Sequence, residues 1–141
     1  MKALLISIFW LLTTVFWLPS DTEELKITVS NISPLEGELY IAVYNSPETY
    51  MDTTATAMRK IVTVTGETQT ILLKNLSPGN YAIAIFQDLN ANGLLDTKGI
   101  GVPAEPFGFS NDARGSVGPP EYKDALLILD SPTKEITINV K

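Results

Sequence analysis

Cysteine and histidine are both missing from this chain. Without cysteine no disulfide staples the fold, so the apolar core must hold it alone. Without histidine the Ser-His-Asp nucleophile, the usual general base and nearly all zinc, copper and iron sites are excluded. Carboxylate, amide, hydroxyl and backbone oxygens remain, an inventory that suits hard cations such as calcium. Basic residues are also few: 10 Lys and Arg stand against 16 Asp and Glu, for a formal charge of −6. No basic cluster offsets that surface, which excludes nucleic-acid binding and disfavours anionic lipid surfaces.

Helical periodicity is absent as well. What is present begins with Lys2, an apolar run from Ala3 to Leu18, then Pro19 and Ser20 before the acidic Asp21–Glu24. This is the pattern of a secretory signal peptide over 1–20. The run falls short of the roughly 20 apolar residues of a spanning helix, so no membrane insertion is expected after cleavage. Export to the periplasm or the outside, without disulfides, points to a bacterial protein. The remainder, 21–141, has the length of one domain.

Alternation with a period of two recurs along that domain. Strands are expected over 25–30, 38–44, 59–65, 68–76, 81–86, 125–129 and 135–140. In the second, Leu39, Ile41 and Val43 share one face and Tyr40 and Tyr44 the other. Ser77-Pro78-Gly79-Asn80 reads as a type II turn with Gly79 at positive φ. Seven strands with regular turn signals predict an all-β fold, a single antiparallel Greek-key β-sandwich, with one long loop after the fifth strand. That loop, 88–120, has no period. Leu94, Leu95, Ile100, Val102, Phe107, Phe109 and Val117 call for burial, which predicts order rather than disorder.

The loop opens with Asp88, Asn90, Asn92, Gly93 and Leu95, the first two-thirds of an EF-hand-type calcium loop. Alternate side-chain oxygens in a tight turn converge on one point, and Gly93 permits the bend. The twelfth position, which should be Glu, is Gly99. Asp96 could add a ligand, and Glu105 or Asp112 could fold back to complete the shell. Such a partial shell implies weak affinity, about 10⁻⁴–10⁻³ M. The competing reading is that these side chains bond their own backbone as Asx turns. Farther on, Phe107, Phe109, Ser110 and Asn111 read either as a ligand lip for a carbohydrate or peptide, or as a plug that pins the loop to the sandwich.

The two motifs, Asp88-x-Asn90-x-Asn92-Gly93-x-Leu95-Asp96 and Gly101-x-Pro103-x-Glu105-x-x-Gly108-Phe109-Ser110-Asn111, resemble the bacterial secreted family termed domain of unknown function 2141. Tyr81-Ala82 before them and Pro119-Pro120 with Asp124-Ala125 after them extend the likeness over about 25–140. Many members carry His where this chain has Gln87. The resemblance implies a fold and a compartment, not an activity. The 76–81 turn also resembles transthyretin-like and carboxypeptidase-regulatory-like sandwiches, which are mostly accessory modules, and whose hydrolase branch uses histidines missing here. The expectation is an exported, non-enzymatic binding or structural module of the envelope with a protein or carbohydrate partner. The alternatives are a small hydrolase using Asp88, Asp96 and Glu105, or a subunit that adds its edge strand to a larger assembly.

Overall fold

The computed structural model describes residues 22–141. The leader expected over 1–20 lies outside the described residues. Among those described, no helix is long and apolar enough to cross a membrane. Two sheets face each other as a sandwich. One holds β1 (Glu23–Ser30), β4 (Gln69–Leu76) and β10 (Thr133–Asn139), in the order β10-β1-β4. The other runs β3 (Met58–Thr63), β2 (Glu38–Tyr44), β5 (Gly79–Asp88), β8 (Phe107–Phe109). Strand β9 (Leu126–Leu129) pairs with the first half of β5 and β8 with its second half.

Alternation builds the core. Leu25, Ile27 and Val29 of β1 and Leu39, Ile41 and Val43 of β2 are fully buried. They pack with Ile71 and Leu73, with Ile83 and Ile85, and with Leu127, Leu129 and Ile138. Each aliphatic side chain taken out of water contributes about 1.5–3 kcal/mol, and in a chain without disulfides this core is the main source of stability. The seven expected strands are all present, with ends shifted by a few residues.

Three features depart from the expectation. First, β1 and β10 run parallel, with Ile27 opposite Ile136 and Val29 opposite Ile138. The turn between Leu129 and Thr133 carries the chain from one sheet to the other, so β10 arrives beside β1 in the same direction. Second, Gly79 is not at positive φ; it starts β5. The left-handed residue is Asn75, at φ 63°, and the bend is held by the Tyr81 hydroxyl donating to Ser77 O at 2.6 Å. Third, part of the long loop is regular. It contains a ribbon of β6 (Thr97–Lys98) and β7 (Val102–Pro103), then β8, a 3-10 turn at Ser110–Asp112 and one helical turn, α1 (Tyr122–Ala125).

The loop closes one side of the sandwich. Phe107 N–H donates to Lys141 O, and Lys141 N–H donates to Phe107 O at 3.1 Å. Gly108 makes the approach possible, since a Cβ there would lie 2.5 Å from Asn139 O. On the opposite side the sheets are tied by side chains: Lys60 Nζ donates to Leu72 O and Gln69 Nε2 to Thr63 O.

Candidate functional site

Strand β5 delivers the chain into the 88–96 turn with Asp88 fully buried. Its position is fixed from below by Gly37, at φ 78°, where a Cβ would fall 2.1 Å from Asp88 O. The neighbouring Gln87, also fully buried, donates through Nε2 to Pro34 O at 2.6 Å and Glu36 O at 2.9 Å. The start of the loop is thereby bolted to the β1–β2 connection.

Asp88 Oδ1 accepts from Asn92 N–H at 3.2 Å and Oδ2 from Gly93 N–H at 2.7 Å. Asp96 accepts from both side-chain amides, Oδ2 from Asn90 Nδ2 at 2.5 Å and Oδ1 from Asn92 Nδ2 at 2.9 Å. Glu105, 6 % exposed, reaches back to the loop's own backbone: Oε1 takes Leu89 N–H at 2.8 Å and Oε2 takes Asp96 N–H at 3.0 Å. The structure thus brings Asp88, Asn90, Asn92, Asp96 and Glu105 into one cluster, and every oxygen of its three carboxylates has a donor. Two Asx turns complete it, Asn90 Oδ1 to Asn92 N–H and Asn92 Oδ1 to Leu94 N–H. Among the described residues, no group of three or more acidic side chains is arranged to hold a metal ion. Asp112 stays outside the cluster, because both its oxygens are held by Asn139 at 2.8 and 2.7 Å.

The lip expected over 107–111 is shortened. Phe109 is buried against Ala82 and Ala125, and Phe107 is half-buried beside it, the two rings edge to face at 6.0 Å. Ser110, fully buried, accepts from Ile83 N–H and donates to Ala125 O. Asn111, at φ 60°, donates to Asp124 O and Leu126 O. Ser110 and Asn111 therefore latch α1 and β9 to β5.

What lies beside the loop is an apolar trough on the outer face of the five-stranded sheet. Two rows of side chains cross that sheet in register. Arg59, Ala42, Ala84 and Phe109 form one; Ile61, Tyr40, Phe86 and Phe107 form the next. The small Ala42 and Ala84 make a depression between the stacked Tyr40–Phe86 pair, 5.0 Å between centroids, and the Tyr44–Tyr50–Tyr122 edge-to-face chain. Leu94 and Leu95 supply one wall and Met51 the other, around a cavity of about 300 Å³. A second cavity of about 550 Å³ shares Met51, Leu95, Phe107 and Phe109 and extends the trough towards Ile100 and Val117.

Burial of the loop's apolar residues is only partly realised. Leu95 and Phe107 are half-buried, but Leu94 is 68 % exposed, Val117 96 % and Ile100 101 %. The β6–β7 ribbon is itself mostly exposed, so it gives these side chains little cover. Tyr40, Arg59, Ala84 and Phe86 were not singled out by sequence. For Tyr40, Ala84 and Phe86 the signal was there in β2 and β5, where the outward positions 40, 42, 44, 82, 84 and 86 are aromatic or small; nothing local marks Arg59 on β3.

No curated protein and no solved structure matches the chain. A family model matches residues 27–137, most of the sandwich and both loop motifs, and on that match the chain belongs to the family described as an uncharacterized protein conserved in bacteria (DUF2141).

Proposed function

We propose that the protein is an exported, non-enzymatic binding module of the bacterial envelope that takes an apolar ligand in the trough beside its 88–105 loop. One observation carries this reading: the loop's three carboxylates are spent on N–H donors while the side chains around the adjoining cavity are mostly apolar. A general acid or nucleophile needs an oxygen free for substrate, and here each oxygen closes a turn or joins two segments. Their role is to set the loop as a wall, with Gly93 placed so that a Cβ would meet the Tyr40 hydroxyl at 3.4 Å. Cavities of about 300–1,000 Å³ with few polar groups are the usual shape of small-molecule sites. The leader pattern in the sequence supports export, and the family is one conserved in bacteria.

In this reading the turn is self-bonded and calcium does not order it. For Asn90 and Asn92 to turn their oxygens towards a cation, two Asx turns would have to open. The unfolding midpoint is expected to be the same in millimolar calcium and in chelator. A calcium-specific rise, removed by Asp96→Ala, would instead make the loop a cation site through linkage of binding to folding.

The trough is tested with Nile red, a neutral dye whose emission shifts to the blue in apolar surroundings. Native protein should bind it, and Ala42→Trp, which fills the floor, should bind it at least tenfold more weakly with the fold retained. No binding by the native protein, or binding undiminished by the substitution, would overturn the reading.

A further inference from the structure

We propose that the trough is specific for an anionic single-chain amphiphile of the fatty-acid class, carboxylate at Arg59 and chain laid across the sheet; this rests on the binding reading above. The first row is graded: a cation on β3, two alanines on β2 and β5, an aromatic ring on β8. Side chains opposite one another on neighbouring strands point to the same face, so the row is a continuous track. Three inter-strand gaps of about 4.8 Å make it roughly 14 Å long, about the reach of an extended chain of ten to twelve carbons. A flexible chain can continue past Phe107 and Leu95 into the second cavity, where Ile100 and Val117 stand exposed.

Arg59 supplies the charge selection. Its guanidinium donates to Thr53 O, and among the described residues it joins no salt bridge; the ion pairs are Lys26–Glu135, Lys74–Glu24 and Lys123–Glu121. It lines the same cavity as Tyr40, Tyr44 and Ala42, which puts the guanidinium beside the aromatic floor. Arginine offers five donors in a planar fork, so one bond to Thr53 leaves donors for a carboxylate. Thr53 and Thr56 line the same end and add hydroxyls. The formal charge of −6 opposes an anionic membrane surface. It acts weakly on one carboxylate in contact with a guanidinium, because charges beyond a screening length of about 8 Å at physiological salt are damped. A sugar would find few polar partners over Ala42, Ala84, Phe86 and Phe107. A protein strand would leave its peptide groups unpaired there, because these rows present side chains and not a sheet edge.

The deciding experiment titrates decanoate and decanol, each kept below its aggregation limit, and follows the backbone amide resonances of residues 42, 84 and 109. Both probes should shift these amides in native protein, decanoate about tenfold more tightly. Arg59→Gln should remove that advantage, so that decanoate binds no more tightly than decanol, since loss of one charge-assisted contact is worth about a factor of ten. Ala84→Trp should abolish both. If decanol and decanoate bind alike and Arg59→Gln alters neither, the carboxylate class is wrong while the apolar site stands. If neither probe moves these amides in folded native protein, this assignment falls, and the trough as a binding site falls with it.

Discussion

Asp88 does three things at once: it ends β5, accepts two N–H groups from the turn, and rests its own carbonyl above Gly37. Removing its carboxylate strands two donors in a poorly solvated pocket, where hydrogen bonds to a charged group are worth about 1.5–3 kcal/mol each. Asp88→Ala is expected to lower unfolding free energy by about 2–4 kcal/mol, read from urea denaturation. Tyr50 is the opposite case. Its hydroxyl is buried with no partner among the described residues, and burial, more than the neighbouring Tyr44 and Asp124, pushes its pKa up to about 12. The folded state thus holds this proton after the unfolded chain has lost it near the ordinary value of about 10. Its contribution is intact below pH 10, and stability falls as pH rises from about 10 to 12. Tyr50→Phe should keep or raise stability at pH 7 and flatten that alkaline decline in thermal melts. At this scale the sequence was most legible where a residue type has few uses. Asp88, Asn90, Asn92, Asp96 and Glu105 were found because oxygen-rich residues at alternate positions fold onto one another. For Ser110 and Asn111 the sequence leaves lip and plug both open, because nothing local says that their side chains will bond α1, β9 and β5.

Elements were legible where one face is apolar and the other polar, and obscure where the apolar pattern is not answered by burial. The strands came through because period two fixes register against the core: a one-residue slip in β2 would turn Leu39, Ile41 and Val43 outward. The ribbon at 97–103 and the three-residue β8 are too short to show a period. The direction of β10 is a property of the connection before it and not of its own residues. The role of β8 can be tested through Gly108. A methyl group there meets Asn139 O, so Gly108→Ala should cost about 1–3 kcal/mol as an overpacked site. It should also open the closing pair: in hydrogen exchange, the amides of Phe107 and Lys141 should lose protection while those of Ile27 and Ile41 keep theirs.

For the whole molecule, composition set the bounds well. A chain without cysteine has the continuous apolar core that the absence of disulfides demands. The trough was not legible, because it is assembled from four strands and two loops whose pairing no local pattern reveals. The edges are also a whole-molecule matter. Lys60 covers a carbonyl of β4, and the Phe107–Lys141 pair occupies the other side, so addition of a foreign strand would displace existing bonds. The protein is therefore expected to stay the same size across a wide concentration range in sedimentation, whereas Lys60→Ala, which uncovers that carbonyl, should raise self-association.

The parallel pairing of β1 with β10 has a consequence in time. Residues 24–30 have residues 133–139 as partners on one flank, so the inner strand of that sheet waits for the distant β10 to be made. Contacts so distant along the chain are paid for in loop entropy before they return anything, which slows folding. A ribosome would thus hold an incomplete sandwich until β10 had emerged. In the export route proposed above, the same delay would keep the chain threadable, because the strand that locks this sheet follows all the others described.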